Sequence, residues 1–297
     1  MPFQLEFLWT DLLIYLLLVS VMVFAFYTAR HEHLRVPWRQ VARRPMAMAS
    51  LAVLSVYVVV GLMDSVHYRP LLETQKQGAR VYSNEVLSLL DKMTTPLRTR
   101  LEKTYSAPFA VQAYTKETME YPDGRHAREY PRLLYGGAHL PDPGARAADV
   151  ARRVGLATLA GVALWILLVA GFLMLWRERL ESWRQAARRL VRGAGQIPWR
   201  AIWLTVGILI VLTTNVASLA QVYHILGTDQ VGQDVLYKSL KSIRTGLVIG
   251  TLTTLVMLPF AAVFGIMAGY FRGWVDDVIQ YTYTTLSSIP GVLLIAA

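Results

Sequence analysis

Residues able to do chemistry are sparse in this chain, and where they cluster they suit structure better than catalysis. His31, Glu32 and His33 stand together. Two histidines two apart, with no third ligand nearby, read as a solvated loop rather than a metal site. No HExxH, GxxxxGK[ST] or GxSxG pattern occurs. The chain therefore lacks a zinc-protease helix, a phosphate-binding loop for ATP hydrolysis and a nucleophile elbow. Cysteine is absent, which excludes disulfides and thiolate zinc sites. The most informative polar cluster is HILGTDQVGQDVLYKSLKSIRTGL, residues 224–247. Thr228 or Asp229 can cap the segment that follows, because their side-chain oxygens accept free backbone N–H groups at a helix start. Gly227 and Gly232 permit tight turns. From Asp234 onward, Val235, Leu236, Leu240, Ile243 and Leu247 share one helical face. This predicts a short interfacial helix leading into an apolar span. The chemistry on offer is hydrogen-bonded geometry, and no catalytic residue, cofactor or metal is expected.

The elements that must hold this cluster are set by a bilayer. Hydrophobic residues make up 54% of the 297 residues and charged residues 17%, with a mean hydropathy of +0.37. Soluble domains carry about 25% charged residues. The apolar residues fall in blocks of the length needed to cross a hydrocarbon core, about 20 residues. The blocks are residues 7–29, 46–66, 154–176, 201–220, 246–268 and a last one from about 275. The first has an acidic leading region (Glu6, Asp11) and a poor cleavage site, so it reads as an uncleaved helix. Pro45 suits the first turn of the second. Asp64 is expected near that helix's exit, where water can reach it. Trp199 and Trp203 suit an interface, and Asn215, inside the fourth span, wants a partner. Gly246, Gly250, Pro259 and Gly265 allow close packing or a kink in the fifth.

The fold class expected is an all-α polytopic membrane protein, a bundle of about six transmembrane helices with a mixed external domain between spans two and three. That domain, residues 67–153, carries 14 basic and 10 acidic residues. Within it, residues 81–103 read as a helix broken near Pro96, and residues 121–144 as turns. Residues 177–200 read as an arginine-rich amphipathic helix at the lipid headgroups. Positive charge favours the cytoplasmic side of short loops. The loops 30–45 (net +4) and 177–200 (net +5) are separated by two spans and so face one side. Calling that side cytoplasmic puts the N-terminus, the 67–153 domain and residues 221–244 outside. Lys238, Lys241 and Arg244 weigh mildly against this scheme. The overall charge of +10 belongs to membrane topology rather than to nucleic-acid binding.

From His224 to the end, the chain resembles the permease subunits of peptide-type ABC importers, specifically the oligopeptide/dipeptide C-type permease. The family's LGTDxxGRDVLSR reads here LGTDQVGQDVLYK, with Leu226, Gly227, Thr228, Asp229, Gly232 and Asp234 in register, and Arg244 stands where the family has an arginine before its second core helix. The family's AGYxGGWVD reads here AGYFRGWVD, with Gly269, Tyr270, Gly273 and Asp276, and Pro290 precedes a leucine-rich run. Gln233 replaces a usual arginine, and Arg272 a usual glycine. The resemblance covers about the last 75 residues; the first 200 have no counterpart in a short typical member. It implies a second permease subunit, cytoplasmic ATP-binding subunits, an external solute-binding protein and a bacterial inner membrane.

The organisation expected is an N-terminal helix pair (1–66), an external domain (67–153), a third span with an arginine-rich connector (154–200) and the start of a permease core (201–297). Because a carboxylate terminus is costly inside a bilayer, the chain is expected to continue past residue 297 into the coupling loop that docks on the ATPase. A membrane-anchored sensor or assembly protein, recognising ligands through the 67–153 domain, is the alternative function.

Overall fold

The computed structural model describes residues 3–72, 81–120, 126–177 and 197–291. It divides into two compact units, residues 1–245 and 246–297.

In the first unit, strand β1 (Phe3–Glu6) leads into helix α1 (Trp9–Arg30), helix α2 (Glu32–Ala42) and helix α3 (Pro45–Ser65). Pro45 opens α3, where its missing N–H costs nothing. The arginine-rich connector between α1 and α3, expected as a loop, is the helix α2. Strand β2 (His67–Leu72) then pairs antiparallel with β1, in the register Glu6↔His67 and Phe3↔Pro70. The chain start and the inserted domain therefore share one end of the α1–α3 hairpin.

β2 also pairs antiparallel with β3 (Val81–Tyr82) and β4 (Leu87–Ser88). Short helices α4 (Leu89–Met93) and α5 (Thr95–Thr99) follow. The helix expected over 81–103 is thus confined to its middle. Strand pairing takes its first part, and the break falls at Thr94, with Pro96 in the first turn of α5. Ser88 caps α4 through a reciprocal box: its hydroxyl accepts from the Asp91 N–H, and Asp91 accepts from the Ser88 N–H. A hairpin of β5 (Glu117–Glu120) and β6 (His126–Glu129) completes the strands.

Helix α6 (Arg146–Arg177) begins inside the expected external domain and runs on as a span. Helix α7 (Trp199–Ala220) lies against it. Their contact shows why small residues sit where they do. A Cβ on Gly161 would meet the Thr214 hydroxyl at 2.5 Å, and one on Gly207 the Trp165 ring at 2.8 Å. The Trp165 ring N–H donates to the Trp203 carbonyl at 2.8 Å. Asn215 finds its partner here, donating to the Thr158 hydroxyl at 3.0 Å and to the Val211 carbonyl at 2.8 Å. Trp199 and Trp203 each pack on Phe172, with ring centroids 5.1 Å apart. Most of the arginine-rich segment expected at the headgroups, residues 178–196, lies outside the described residues.

Helix α8 (Val235–Phe271) is 37 residues long and carries Pro259 within it. The short interfacial helix and the fifth span are one element. Helix α9 (Trp274–Ser288) begins the last apolar block.

Five helices among the described residues are long and apolar enough to cross a membrane, α1, α3, α6, α7 and α8, with mean hydropathies of 2.0 to 2.4. Their burial pattern is that of a protein solvated by lipid. On α1, Trp9 and Met22 are exposed while Asp11 and Thr28 are buried; on α3, Leu51 and Leu54 are exposed while Asp64 and Ser65 are buried. Apolar chains face outward and polar ones find partners inside, as hydrocarbon requires. The chain is an all-α polytopic membrane protein of roughly six spans, with a mixed domain inserted after the second.

Candidate functional site

The segment after α7 is folded into the inserted domain rather than standing free. Tyr223 is 2% exposed and shares a small core with Val111, Leu140 and Leu219. Its hydroxyl donates to Asp149 at 2.8 Å. Burial and this carboxylate push the Tyr223 phenol up to about 12. Asp149 also takes the His139 ring and the Arg153 guanidinium, each at 2.8 Å. Backbone bonds tie the segments of this interface together: the Gly137 N–H donates to the Val222 carbonyl (2.8 Å) and the Phe109 N–H to the His224 carbonyl (3.0 Å).

His224 occupies the centre. It is buried between two carboxylates, with Nδ1 2.7 Å from Asp234 Oδ2 and Nε2 3.3 Å from Glu102 Oε1. Glu102 further accepts the N–H groups of Leu134 (2.8 Å), Tyr135 (2.8 Å) and Gly136 (3.1 Å). Burial opposes its charge, but His224 and these three donors outweigh burial and hold the carboxyl at about 2. For His224, burial likewise disfavours the cation. The hydrogen bonds and charges of Asp234 and Glu102 prevail and raise the imidazole to about 9. Near neutral pH the site is an imidazolium clamped by two carboxylates.

Asp234 has a second task. Its Oδ1 accepts the N–H groups of Leu236 (2.8 Å) and Tyr237 (3.3 Å), so it is the residue that caps α8. Neither Thr228 nor Asp229 caps the helix. Thr228 instead donates its hydroxyl to the Thr104 carbonyl at 2.8 Å, lies 3.0 Å from the Ser106 hydroxyl, and bridges Ser106 on one side and Asp234 on the other. Asp229 closes the turn, its Oδ1 accepting from Val231 (3.1 Å) and Gln233 (2.9 Å), and it pairs with Lys238. Lys238 and the turn's N–H groups hold the Asp229 carboxyl below its usual range.

The two glycines are required by contact as well as by turn geometry. Gly227 has φ +77° and Gly232 φ +75°. A Cβ on Gly227 would lie 2.2 Å from the Ser106 carbonyl oxygen, and one on Gly232 1.7 Å from that of Glu102. The Glu102 N–H donates to the Gly232 carbonyl at 2.9 Å. Leu226 is half exposed beside this seat.

Arg244 lies farther along α8, paired with Asp11 and donating to Thr10 at 2.5 Å. Asp11 is 1% exposed and also holds His67 Nδ1 at 2.9 Å. Asp64, expected in reach of water, is 2% exposed, accepts the Ser88 hydroxyl at 2.8 Å and lies 3.4 Å from the Lys241 ammonium.

The second group of family-like residues lies in the other unit. Gly269 and Tyr270 are in the last turns of α8, and Tyr270 is 79% exposed. Arg272 (φ +50°) and Gly273 (φ +58°) form a left-handed pair that stops α8 and starts α9. Where the importer pattern has two glycines, this chain holds one arginine in a conformation that costs an L-residue about 1–2 kcal/mol. Asp276 stands in the first turn of α9 and accepts from Gln280 at 3.0 Å. Pro290 follows α9, whose C-cap is Ile289.

Sequence reasoning finds the turn but misses its seat. Glu102 and Ser106 lie more than a hundred positions before His224 and share no local period with it. The one available signal is that His224 lies just before the turn.

Comparison with known proteins places the similarity in transport systems. The chain is 35% identical over 74 residues to the glutathione transport system permease protein GsiD of Pectobacterium atrosepticum, covering 25% of each. It is 34% identical over 73 residues to the oligopeptide transport system permease protein OppC of Mycobacterium tuberculosis, again 25% of each. It is 30% identical over 74 residues to the dipeptide transport system permease protein DppC of Alkalihalophilus pseudofirmus, 25% of this chain and 24% of that one. The chain thus spans about a quarter of the length of the curated relatives it matches. No family model matches it, and no solved structure matches it.

Proposed function

We propose that this multi-pass membrane protein is a permease subunit of a bacterial inner-membrane ABC importer, forming part of the pathway for peptides or similar small solutes. ATP hydrolysis would fall to separate cytoplasmic subunits, since the chain has no phosphate-binding loop of its own. A second permease subunit would complete the pathway, and an external binding protein would deliver the solute. The observation that carries this reading is the shared stretch with three permease components of glutathione, oligopeptide and dipeptide systems. The well-formed turn 226–234, with Asp234 capping a long apolar helix, supports it. On this reading residues 1–66 are an added helix pair, 67–153 an external domain, 154–200 a third span with its connector, and 201–297 the start of the permease core. Leu226, Gly227, Thr228, Asp229, Gly232, Asp234, Arg244, Gly269, Tyr270, Gly273, Asp276 and Pro290 are its structural motif residues. The pairing of β1 with β2 supports a chain start on the same side as the domain.

The test is gentle purification of the full-length protein from its native membrane. A second permease and ATPase subunits should come with it, and solute uptake should fail when the ATPases are deleted. Recovery alone, with uptake unchanged by that deletion, would overturn the proposal.

A further inference from the structure

The leading turns of α8 carry three cations at a spacing of three: Lys238, Lys241 and Arg244. As free charges they would crowd one side of the helix and resist approach to the membrane. Each has a carboxylate instead, and each carboxylate comes from a different part of the chain. Lys238 meets Asp229 of the turn. Lys241 lies 2.9 Å from both oxygens of Asp91 and 3.4 Å from Asp64. Arg244 meets Asp11. Asp91 is tied further by the Tyr237 hydroxyl at 2.6 Å and the Ser88 N–H at 2.9 Å. Burial disfavours its charge, but these donors and Lys241 together hold it below the usual carboxylate range.

Burial deepens along the series. The side chains of Lys238, Lys241 and Arg244 are 46%, 34% and 17% exposed, and their carboxylates run from 22% at Asp229 to 4% and 2% at Asp91 and Asp64 and 1% at Asp11. An exposed pair is screened and worth little. A buried carboxylate stripped of its cation is strongly destabilising. Any restraint on the helix therefore resides in the two deeper steps, which join α8 to α1, α3 and α4.

We infer that the N-terminal helix pair and the inserted domain are a brace that fixes the leading end of α8, with Asp11, Asp64 and Asp91 as its positioning residues acting through Arg244 and Lys241. This gives residues 1–100 a task that does not depend on binding a ligand, and it does not rest on the importer reading. It also accounts for two acidic residues at the ends of apolar spans, where a solitary carboxylate is disfavoured.

The experiment is a charge-exchange cycle on the full chain in detergent, read by thermal unfolding and by hydrogen exchange of the amides of 235–245. Asp11→Asn and Arg244→Gln should each lower the unfolding midpoint and deprotect those amides. The double variant should be no worse than the worse single one. The exchanged pair Asp11→Arg with Arg244→Asp should recover at least half of the lost midpoint. Arg244→Lys, which keeps the charge, should stay close to the parent, and Lys238→Gln should be nearly silent. Strictly additive losses in the double variant, or a Lys238→Gln loss equal to that of Arg244→Gln, would overturn the brace. Should an exchanged pair fail to accumulate, the cycle of neutral variants decides alone. None of these readouts involves uptake, so the brace stands or falls independently of the importer reading.

Discussion

Replacing His224 by glutamine removes a charge and keeps a polar side chain of similar reach. The parent imidazole titrates at about 9 against an ordinary 6.5. That difference corresponds to about 3 kcal/mol favouring the cation in the folded protein. The figure agrees with the about 3–5 kcal/mol expected when a buried ion pair loses one member. Because Glu102 keeps three backbone donors and Asp234 keeps two, the lower end of that range applies. Hydrogen exchange can read it locally. The amides of Leu134, Tyr135 and Gly136 point at Glu102, and those of Leu236 and Tyr237 at Asp234. A loss of about 3 kcal/mol opens them about a hundredfold more often. The pH dependence gives the sharper test. A group whose folded pKa is raised contributes fully below its unfolded value and loses its contribution as pH climbs through the folded one. After correction for intrinsic exchange, the parent should lose protection between pH 6.5 and 9, and His224→Gln should be flat across that window. Equal slopes in the two proteins, or no change in opening at about pH 6, would refute the idea that a charged His224 holds the domain on the turn.

Asp229→Asn retains an oxygen for the Val231 and Gln233 amides and loses only the exposed Lys238 pair, so stability and, if the proposed importer role holds, uptake should be nearly unchanged. Asp229→Ala loses both bonds and should cost about 1–2 kcal/mol, seen in a lower unfolding midpoint and, under that proposed role, reduced uptake per inserted molecule; equal, severe damage in both would mean that the charge itself contacts a partner. Gly232→Ala drives a Cβ into the Glu102 backbone at 1.7 Å and should dislodge the turn, exposing residues 226–234 to protease. Gly250→Ala, where the Cβ meets nothing within 4 Å, should be neutral or slightly stabilising in its helix, and matching protease sensitivity in the two would be evidence against the contact. Single cysteines placed in this cysteine-free chain report sidedness: Tyr114→Cys should label from outside intact cells and Arg39→Cys only after permeabilisation, and the reverse pattern would invert the topology.

The spans are legible because a bilayer imposes a length and a composition that survive in any window of sequence. Asn215 announces its need for a partner in the same way, since an amide at membrane depth has few options. The inserted domain is harder to read. Its strands are two to six residues long, too short for alternation to stand out, and β3 and β4 lie in a stretch whose apolar spacing also fits a helix. The turn 226–234 shows its glycines and acids, yet the seat it rests on, Glu102 beneath His224 and Ser106 beneath Thr228, comes from more than a hundred positions away. Asp64 is misplaced by sequence reasoning for a related reason. Its neighbours in sequence are a span end and a polar domain, whereas its neighbours in space are Ser88 and Lys241.

The small core around Tyr223 bears on how this protein is made. Val111 and Leu140 belong to the inserted domain, while Leu219 and Tyr223 are synthesised only after α6 and most of α7. Glu102 likewise waits for His224. Until then the domain's apolar surface lacks Leu219 and Tyr223, and Glu102 has the N–H groups of Leu134, Tyr135 and Gly136 but not its imidazole partner. Contacts of such wide sequence separation form slowly, and chains emerge N-terminal part first. The domain therefore passes through an interval of synthesis in which this core is incomplete and its apolar face is uncovered. Variants that slow insertion of α7 should be degraded from the inserted domain even though they leave its own sequence untouched.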